Sequence, residues 1–181
     1  MFVALALGCN VAGIELKRMD VETTAAFVKQ YCRENRIAVA LKEERLKRLV
    51  DARRWIFTIG KEDARQCMPV HGDAAQTKEF VPGFGRPHLI VGDLPYGIQH
   101  GGPLAELLTA CLPAWAAILA PGGVIAMSWD ATRFARADMI ELVQAAAPWQ
   151  VVQQPPYDRL GHRVDRVIKR RDVIVAKAPG R

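Results

Sequence analysis

Asp93-Leu94-Pro95-Tyr96-Gly97 sets a carboxylate, a stiff turn and an aromatic ring side by side. The run closes His88–Asp93 (HLIVGD), an apolar, β-branched stretch that reads as a strand. In an open α/β sheet, ligand chemistry gathers at the carboxyl ends of the strands. The residue types suit an amine. Asp93 and the backbone carbonyl of Leu94 can each accept a hydrogen bond from the NH2 of a base. Those bonds draw the nitrogen lone pair out of conjugation with the ring and toward an incoming methyl group. Pro95 stiffens the turn so that the acceptors are aimed beforehand. Tyr96 offers a face on which a flipped base can stack. The plain alternative is a strand-ending turn, in which Asp, Pro and Gly are common.

Two further carboxylates stand at strand ends. Glu15 closes Asn10–Glu15 (NVAGIE), and Asp73 follows Met68–Gly72 (MPVHG). Each reads equally as a solvated side chain or as a ligand for a polar group. His100 lies just past the turn, where loop histidines are usually bystanders, and His71 sits within a strand as a structural residue. Trp129 and Trp149 read as packing. Pro82-Gly83-Phe84-Gly85 has the spacing GxG without a strand before it or a helix after it, so it reads as a loop. No GxxxxGK[ST] run is present, which argues against nucleotide hydrolysis. Cys9, Cys32, Cys67 and Cys111 lack zinc or redox spacing. They are expected to be reduced thiols in a cytoplasmic protein, and no metal site is expected.

The elements that must position these groups come from a chain of 181 residues, half of them hydrophobic, enough for one domain with an ordinary core. No apolar run reaches the roughly 18 residues of a membrane span, and Met1–Gly8 does not read as a signal peptide. The net charge is +6. Basic residues cluster in Arg45–Arg54 (Arg45, Lys47, Arg48, Arg53, Arg54) and in Arg159–Arg171 (Arg159, Arg163, Arg166, Lys169, Arg170, Arg171). Such patches attract a polyanion, or are simply solvated. Strands are expected at Asn10–Glu15, Met68–Gly72, His88–Asp93, Gly123–Trp129, Trp149–Gln153 and Asp172–Lys177. Helices are expected at Asp20–Glu34, Leu104–Leu119, Ala135–Ala146 and, as a charged and exposed one, Glu43–Arg54. Alternating strands and helices predict a largely parallel α/β sheet. The last two strands are too close for a crossover helix and predict an antiparallel pair with a basic loop.

In that order the motifs resemble a known family. Asp93-Leu94-Pro95-Tyr96 is similar to the (Asp/Asn/Ser)-Pro-Pro-(Tyr/Phe) motif of amino-methyltransferases. GDLPYGIQHGG resembles the RNA methylase family that includes THUMP-containing tRNA guanosine methyltransferases, within the class I S-adenosylmethionine-dependent enzymes. Leu94 replaces the first motif proline, and its backbone carbonyl serves as well. NVAGIELKRMDV resembles the family's second strand, whose acidic end, Glu15 here, binds the cofactor ribose. His71-Gly72-Asp73-Ala74 resembles the end of the third strand, where the aspartate holds the adenine amino group. Pro121–Trp129 resembles the fifth strand, and Arg163–Lys177 the sixth-to-seventh strand hairpin.

The resemblance implies a Rossmann-like methyltransferase sheet, mostly parallel with a C-terminal antiparallel hairpin, in a domain covering residues 1–181. The family's first, central strand and its Gly-rich loop precede the segment where this sequence begins, so the domain is expected to be N-terminally incomplete, with Met1–Leu7 as a helix tail stopped by Gly8. It further implies methyl transfer from S-adenosylmethionine to an exocyclic amine of guanine or adenine, in tRNA or rRNA. The implied catalytic residues are Asp93, Leu94, Pro95 and Tyr96, and the implied cofactor-binding residues Glu15, Leu16, Asp73, Ala74 and Asp93. The alternatives are a nucleic-acid-binding remnant without activity, or an amine methyltransferase for DNA, protein or a small molecule. No membrane partner is expected, and the sequence leaves oligomeric state open.

Overall fold

Apolar residues spaced every third or fourth position build the main helix of the N-terminal half. Val21, Ala25, Val28 and Cys32 form one buried face of α2 (Arg18–Glu34). That face packs on Trp55, Phe57 and Cys67, which alternate along the strands beneath it. The computed structural model describes residues 1–46, 51–95, 104–164 and 170–178. They divide into two compact units, Met1–Phe84 and Gly85–Arg181.

The first unit opens with α1 (Phe2–Ala6), which ends before Gly8 at φ +77°, the left-handed stop expected there. Next come β1 (Val11–Glu15), α2, β2 (Val39–Arg45), β3 (Arg53–Ile59) and β4 (Arg65–His71). A 3-10 turn (Ala74–Gln76) and the short α3 (Thr77–Phe80) complete it. The sheet order is β1-β4-β3-β2. β1 and β4 are parallel, in register from Val11 opposite Cys67 to Glu15 opposite His71. The opposite face of the sheet from α2 buries Met68 and Val70 with Ala52 and Phe80.

One expectation is corrected here. Glu43–Arg54 is not a helix. Its two ends belong to β2 and β3, an antiparallel hairpin in register from Val39 opposite Ile59 to Arg45 opposite Arg53. Residues 47–50 lie outside the described part. Leu46, Leu49 and Val50 have the spacing of a thin helical stripe, but the alternation of Trp55, Phe57 and Ile59 just beyond has the period of a strand. Burying Trp55 and Phe57 under α2 recruits Arg53 and Arg54 into the same strand, so packing overrides local propensity.

The second unit contains β5 (Leu89–Asp93), α4 (Leu104–Ile118), β6 (Val124–Asp130), α5 (Arg136–Ala146), β7 (Gln150–Val151), β8 (His162–Arg163) and β9 (Arg170–Lys177). Its sheet runs β5-β6-β9-β7, with β8 also paired to β9. β5 and β6 are parallel, while β9 is antiparallel to β6, β7 and β8. The mostly parallel sheet expected is thus corrected, because among the described strands only β1–β4 and β5–β6 pair in parallel, and the short connections from β2 to β3 and β3 to β4 favour antiparallel neighbours. The last strand thus inserts between β6 and β7, the antiparallel ending that the short connection predicted. Ile125, Met127 and Trp129 of β6, with Ile174 and Ala176 of β9, are fully buried on one face. α4 buries Leu108, Cys111, Leu112 and Trp115, runs through Pro113, and packs against α5. The other face is more open, and Leu89 and Val91 of β5 are exposed on it.

Among the described residues, β1 pairs with β4 and with no other strand, and β5 with β6 and no other. No described helix is long and apolar enough to cross a membrane.

Candidate functional site

Asp93 is the last residue of β5, opposite Ser128 of β6 in the parallel register. Side chains at paired positions leave the sheet on the same face. Ser128 Oγ accordingly donates a hydrogen bond to Asp93 Oδ1. Arg171 Nη2, reaching from β9, lies 3.7 Å from Asp93 Oδ2. The Asp93 side chain is still 57 % exposed.

Leu94 continues the ladder for one more bond, its N–H donating to the Ser128 carbonyl at 2.9 Å. Its side chain is buried. Burial of Leu94 therefore anchors this turn. Pro95 is half-buried beside it. Tyr96 lies outside the described residues, as does His100.

Behind Asp93 the unit is cross-braced by a buried ion pair that the sequence reading missed. Arg136 Nη1 donates to Asp172 Oδ1 at 2.9 Å and to the Val173 carbonyl at 3.0 Å, and Nη2 donates to the Tyr157 carbonyl at 2.8 Å. This ties the segment between β7 and β8 to β9. At the end of the neighbouring β6, opposite Arg171, Asp130 accepts from Thr132 N–H and Thr132 Oγ1, at 3.0 and 2.6 Å. Ser128 was equally missed. Its signal was a hydroxyl in the otherwise apolar run VIAMSW, but nothing in that run names the residue opposite.

The first unit carries the other candidates. Glu15 and His71 are register partners, and the Gly72 N–H donates to the Glu15 carbonyl at 3.0 Å. Glu15 and Asp73 therefore leave the carboxyl ends of adjacent parallel strands, and both are exposed. Glu15 Oε1 accepts from Lys17 N–H at 2.8 Å, and Asp73 Oδ1 accepts from Ala75 N–H at 2.8 Å. Among the described residues each carboxylate keeps its second oxygen for another donor. Leu16 is exposed beside Glu15, and Ala74 is half-buried behind Asp73.

Two contacts hold that corner. Gly72 lies against the buried Phe80 ring with no room for a side chain. Arg54, from β3, donates through Nη1 to the carbonyls of Phe80 and Pro82, at 2.8 and 3.0 Å. His71 has the structural role expected, with Nδ1 2.8 Å from the Asp51 carbonyl.

The two basic clusters differ. In the first, Arg54 is paired with Glu44, Arg53 lies 3.7 Å from Glu43, and Arg45 lies 3.9 Å from Asp51. Hydrogen bonds from Lys42, then Arg54, hold the Glu44 carboxyl below the usual carboxylate range. Arg45, Arg53 and Arg54 are thus each near a carboxylate, and Lys47 and Arg48 lie outside the described residues; in the second cluster Arg159, Arg163 and Arg170 are exposed, with Arg159 3.3 Å from Asp158. Arg166 and Lys169 lie outside the described residues. Among the described residues, no group of three or more His, Cys, Asp or Glu is placed to hold a metal ion.

No family model matches the chain, and no curated protein matches it. Among solved structures it resembles TrmN from Thermus thermophilus, with a TM-score of 0.50 and 16% identity, over 97% of this chain and 39% of that one. It spans well under half the length of TrmN. The N-methyltransferase NodS from Bradyrhizobium japonicum WM9 also matches, with a TM-score of 0.35 and 18% identity over 51% of each chain, too distant to carry an argument. The likeness to TrmN shows the fold alone, a mixed α/β fold.

Proposed function

We propose that this protein is an S-adenosylmethionine-dependent methyltransferase acting on an exocyclic amine of guanine or adenine in RNA, a tRNA or rRNA. One observation carries the reading. Asp93 ends a parallel strand, exposed yet oriented by Ser128, and is followed by a turn anchored through Leu94. Asp93 and the Leu94 carbonyl would accept the two N–H bonds of the amine and turn its lone pair outward. Pro95 would keep the turn stiff, and Tyr96 would stack the base.

The residues of the first unit fit the adenosyl part of the cofactor. A carboxylate with one oxygen engaged by its own backbone and one left over suits a ribose diol at Glu15 and an adenine amine at Asp73. Leu16 and Ala74 flank these as apolar contacts for the adenosyl moiety. When bound, S-adenosylmethionine supplies an electrophilic methyl group on a sulfonium. The protein's share is orientation and hydrogen bonding at the amine. The likeness of the whole chain to TrmN supports this reading at the level of fold. Arg159, Arg163 and Arg170 are the cations we assign to the phosphates of the RNA. Cys9, Cys32, Cys67 and Cys111, none of them in a disulfide, suit the reducing cytoplasm.

The test has two stages. Calorimetric titration with S-adenosylmethionine should give a dissociation constant near ~10 μM, about 7 kcal/mol, lost in Glu15→Ala. Transfer of a labelled methyl group to RNA should then be abolished by Asp93→Ala with the fold intact. Binding of RNA without the cofactor would point to a non-catalytic protein, and transfer retained in Asp93→Ala would sink the amine assignment.

A further inference from the structure

We infer that Ser128 and Arg171 are positioning residues that bracket the Asp93 carboxylate and aim it at the substrate amine. The inference rests on the amine-site reading above and adds to it the residues that make Asp93 directional.

A carboxylate at the exposed end of a strand samples several rotamers, so by itself it is a poorly aimed acceptor. Here both of its oxygens are restrained from neighbouring strands. Ser128 stands opposite Asp93 in the β5–β6 register and donates its hydroxyl to Oδ1. Arg171 pairs with Asp130 across β6–β9, one register step of two residues beyond the Ser128–Val173 pair, on the same sheet face. From there its Nη2 lies 3.7 Å from Oδ2. The bracket comes from two rigid strands, the most dependable place from which to hold a reacting group.

A stabilising purpose explains it poorly. The Asp93 side chain is 57 % exposed, and exposed ion pairs contribute little to stability. An ionised carboxylate has lone pairs for about four donors, and this one, 57 % exposed, presents acceptor positions to solvent beside Ser128 and Arg171. Those positions are where the N–H groups of an amine would bind. Arg171 also brings the basic segment into contact with the amine site, since β8 pairs His162 with Arg171 and Arg163 with Arg170.

The test reads amine recognition by binding alone, through paired nucleotides that differ in one amino group. Guanosine monophosphate is compared with inosine monophosphate, and adenosine monophosphate with purine riboside monophosphate. The wild-type chain should prefer the amino form of at least one pair, and Asp93→Ala should remove that preference. Ser128→Ala should reduce it about tenfold, the worth of one hydrogen bond to a charged group, and Arg171→Ala, which removes an ion pair at 3.7 Å, about threefold. Affinity for the nucleotide lacking the amine should stay unchanged, and Ser128→Thr and Arg171→Lys should restore the preference. A merely structural role would weaken both members of a pair together and would overturn the inference, as would a loss that the conservative variants do not rescue. Ser128→Ala and Arg171→Ala variants that keep the full preference while Asp93→Ala loses it would overturn the bracket but leave the amine site standing. A wild-type chain without any amine preference, or without nucleotide binding, would overturn the amine-site reading itself.

Discussion

Replacing Arg136 by methionine should cost the second unit about 3 kcal/mol, the lower end of the ~3–5 kcal/mol range for breaking a buried ion pair. Arg136 makes the 2.9 Å hydrogen bond to Asp172 and the two carbonyl contacts to Val173 and Tyr157. Asp172 is only 2 % exposed. Without the guanidinium its carboxylate keeps the Val173 N–H at 2.8 Å but loses its counter-ion in a site that water reaches poorly. The lower end of the range applies because the Arg136 side chain is 22 % exposed, so some water can follow its removal. Urea unfolding measures the loss, with Trp129 as reporter because it stands opposite Asp172 in the β6–β9 register. With a urea dependence of ~1–2 kcal/mol per molar, the midpoint should fall by about 1.5–3 M. The double variant Arg136→Met, Asp172→Val should regain most of the loss, since an apolar pair replaces an uncompensated charge. A single-variant cost below ~1 kcal/mol, or a double variant no more stable than the single, would refute the reasoning.

Two other perturbations probe the first unit. A Cβ added at Gly72 would lie 2.7 Å from Phe80 Cε2 and 2.9 Å from Cε1, against a ring that is fully buried. Gly72→Ala should therefore cost ~1–3 kcal/mol by overpacking and displace Asp73. Adding Phe80→Leu should recover stability in the same urea assay, and an undiminished midpoint in the single variant would contradict the close approach. Burial pushes the Cys67 thiol up to about 11. Its unfolded counterpart titrates at about 8.5, so the folded state is favoured below that pH and loses this advantage as pH rises toward about 11. Stability of the first unit should fall over that window in the wild type and less so in Cys67→Val. A thiol reagent should label Cys9 in the folded protein and reach Cys32, Cys67 and Cys111 only on unfolding.

Much of the fold was legible because it rests on local patterns. The period of Val21, Ala25, Val28 and Cys32 marked α2, and the apolar runs marked β1, β4, β5, β6 and β9 within a residue or a few. Asp93 was legible as a candidate because a carboxylate next to a proline and an aromatic ring is a pattern within five residues. Glu15 and Asp73 were legible from their places at strand ends. Even the antiparallel ending followed from chain length, since the connection is too short for a crossover helix.

What only the tertiary structure decided is who stands beside whom. Glu43–Arg54 carries a pattern compatible with two structures, and the burial of Trp55 and Phe57 under α2 selected the hairpin. Ser128 is 35 positions from Asp93 and Arg136 is 36 from Asp172, yet each pair is joined by a hydrogen bond. Arg171 counted in the sequence as one cation of a basic loop, and in the structure its Nη2 lies 3.7 Å from the Asp93 carboxylate. The physical reason is that residue type and spacing determine the period of an element and the chemistry it carries. Strand order and register are settled by the burial of whole faces, and a shift of one residue would send Ser128 to the opposite side of the sheet from Asp93.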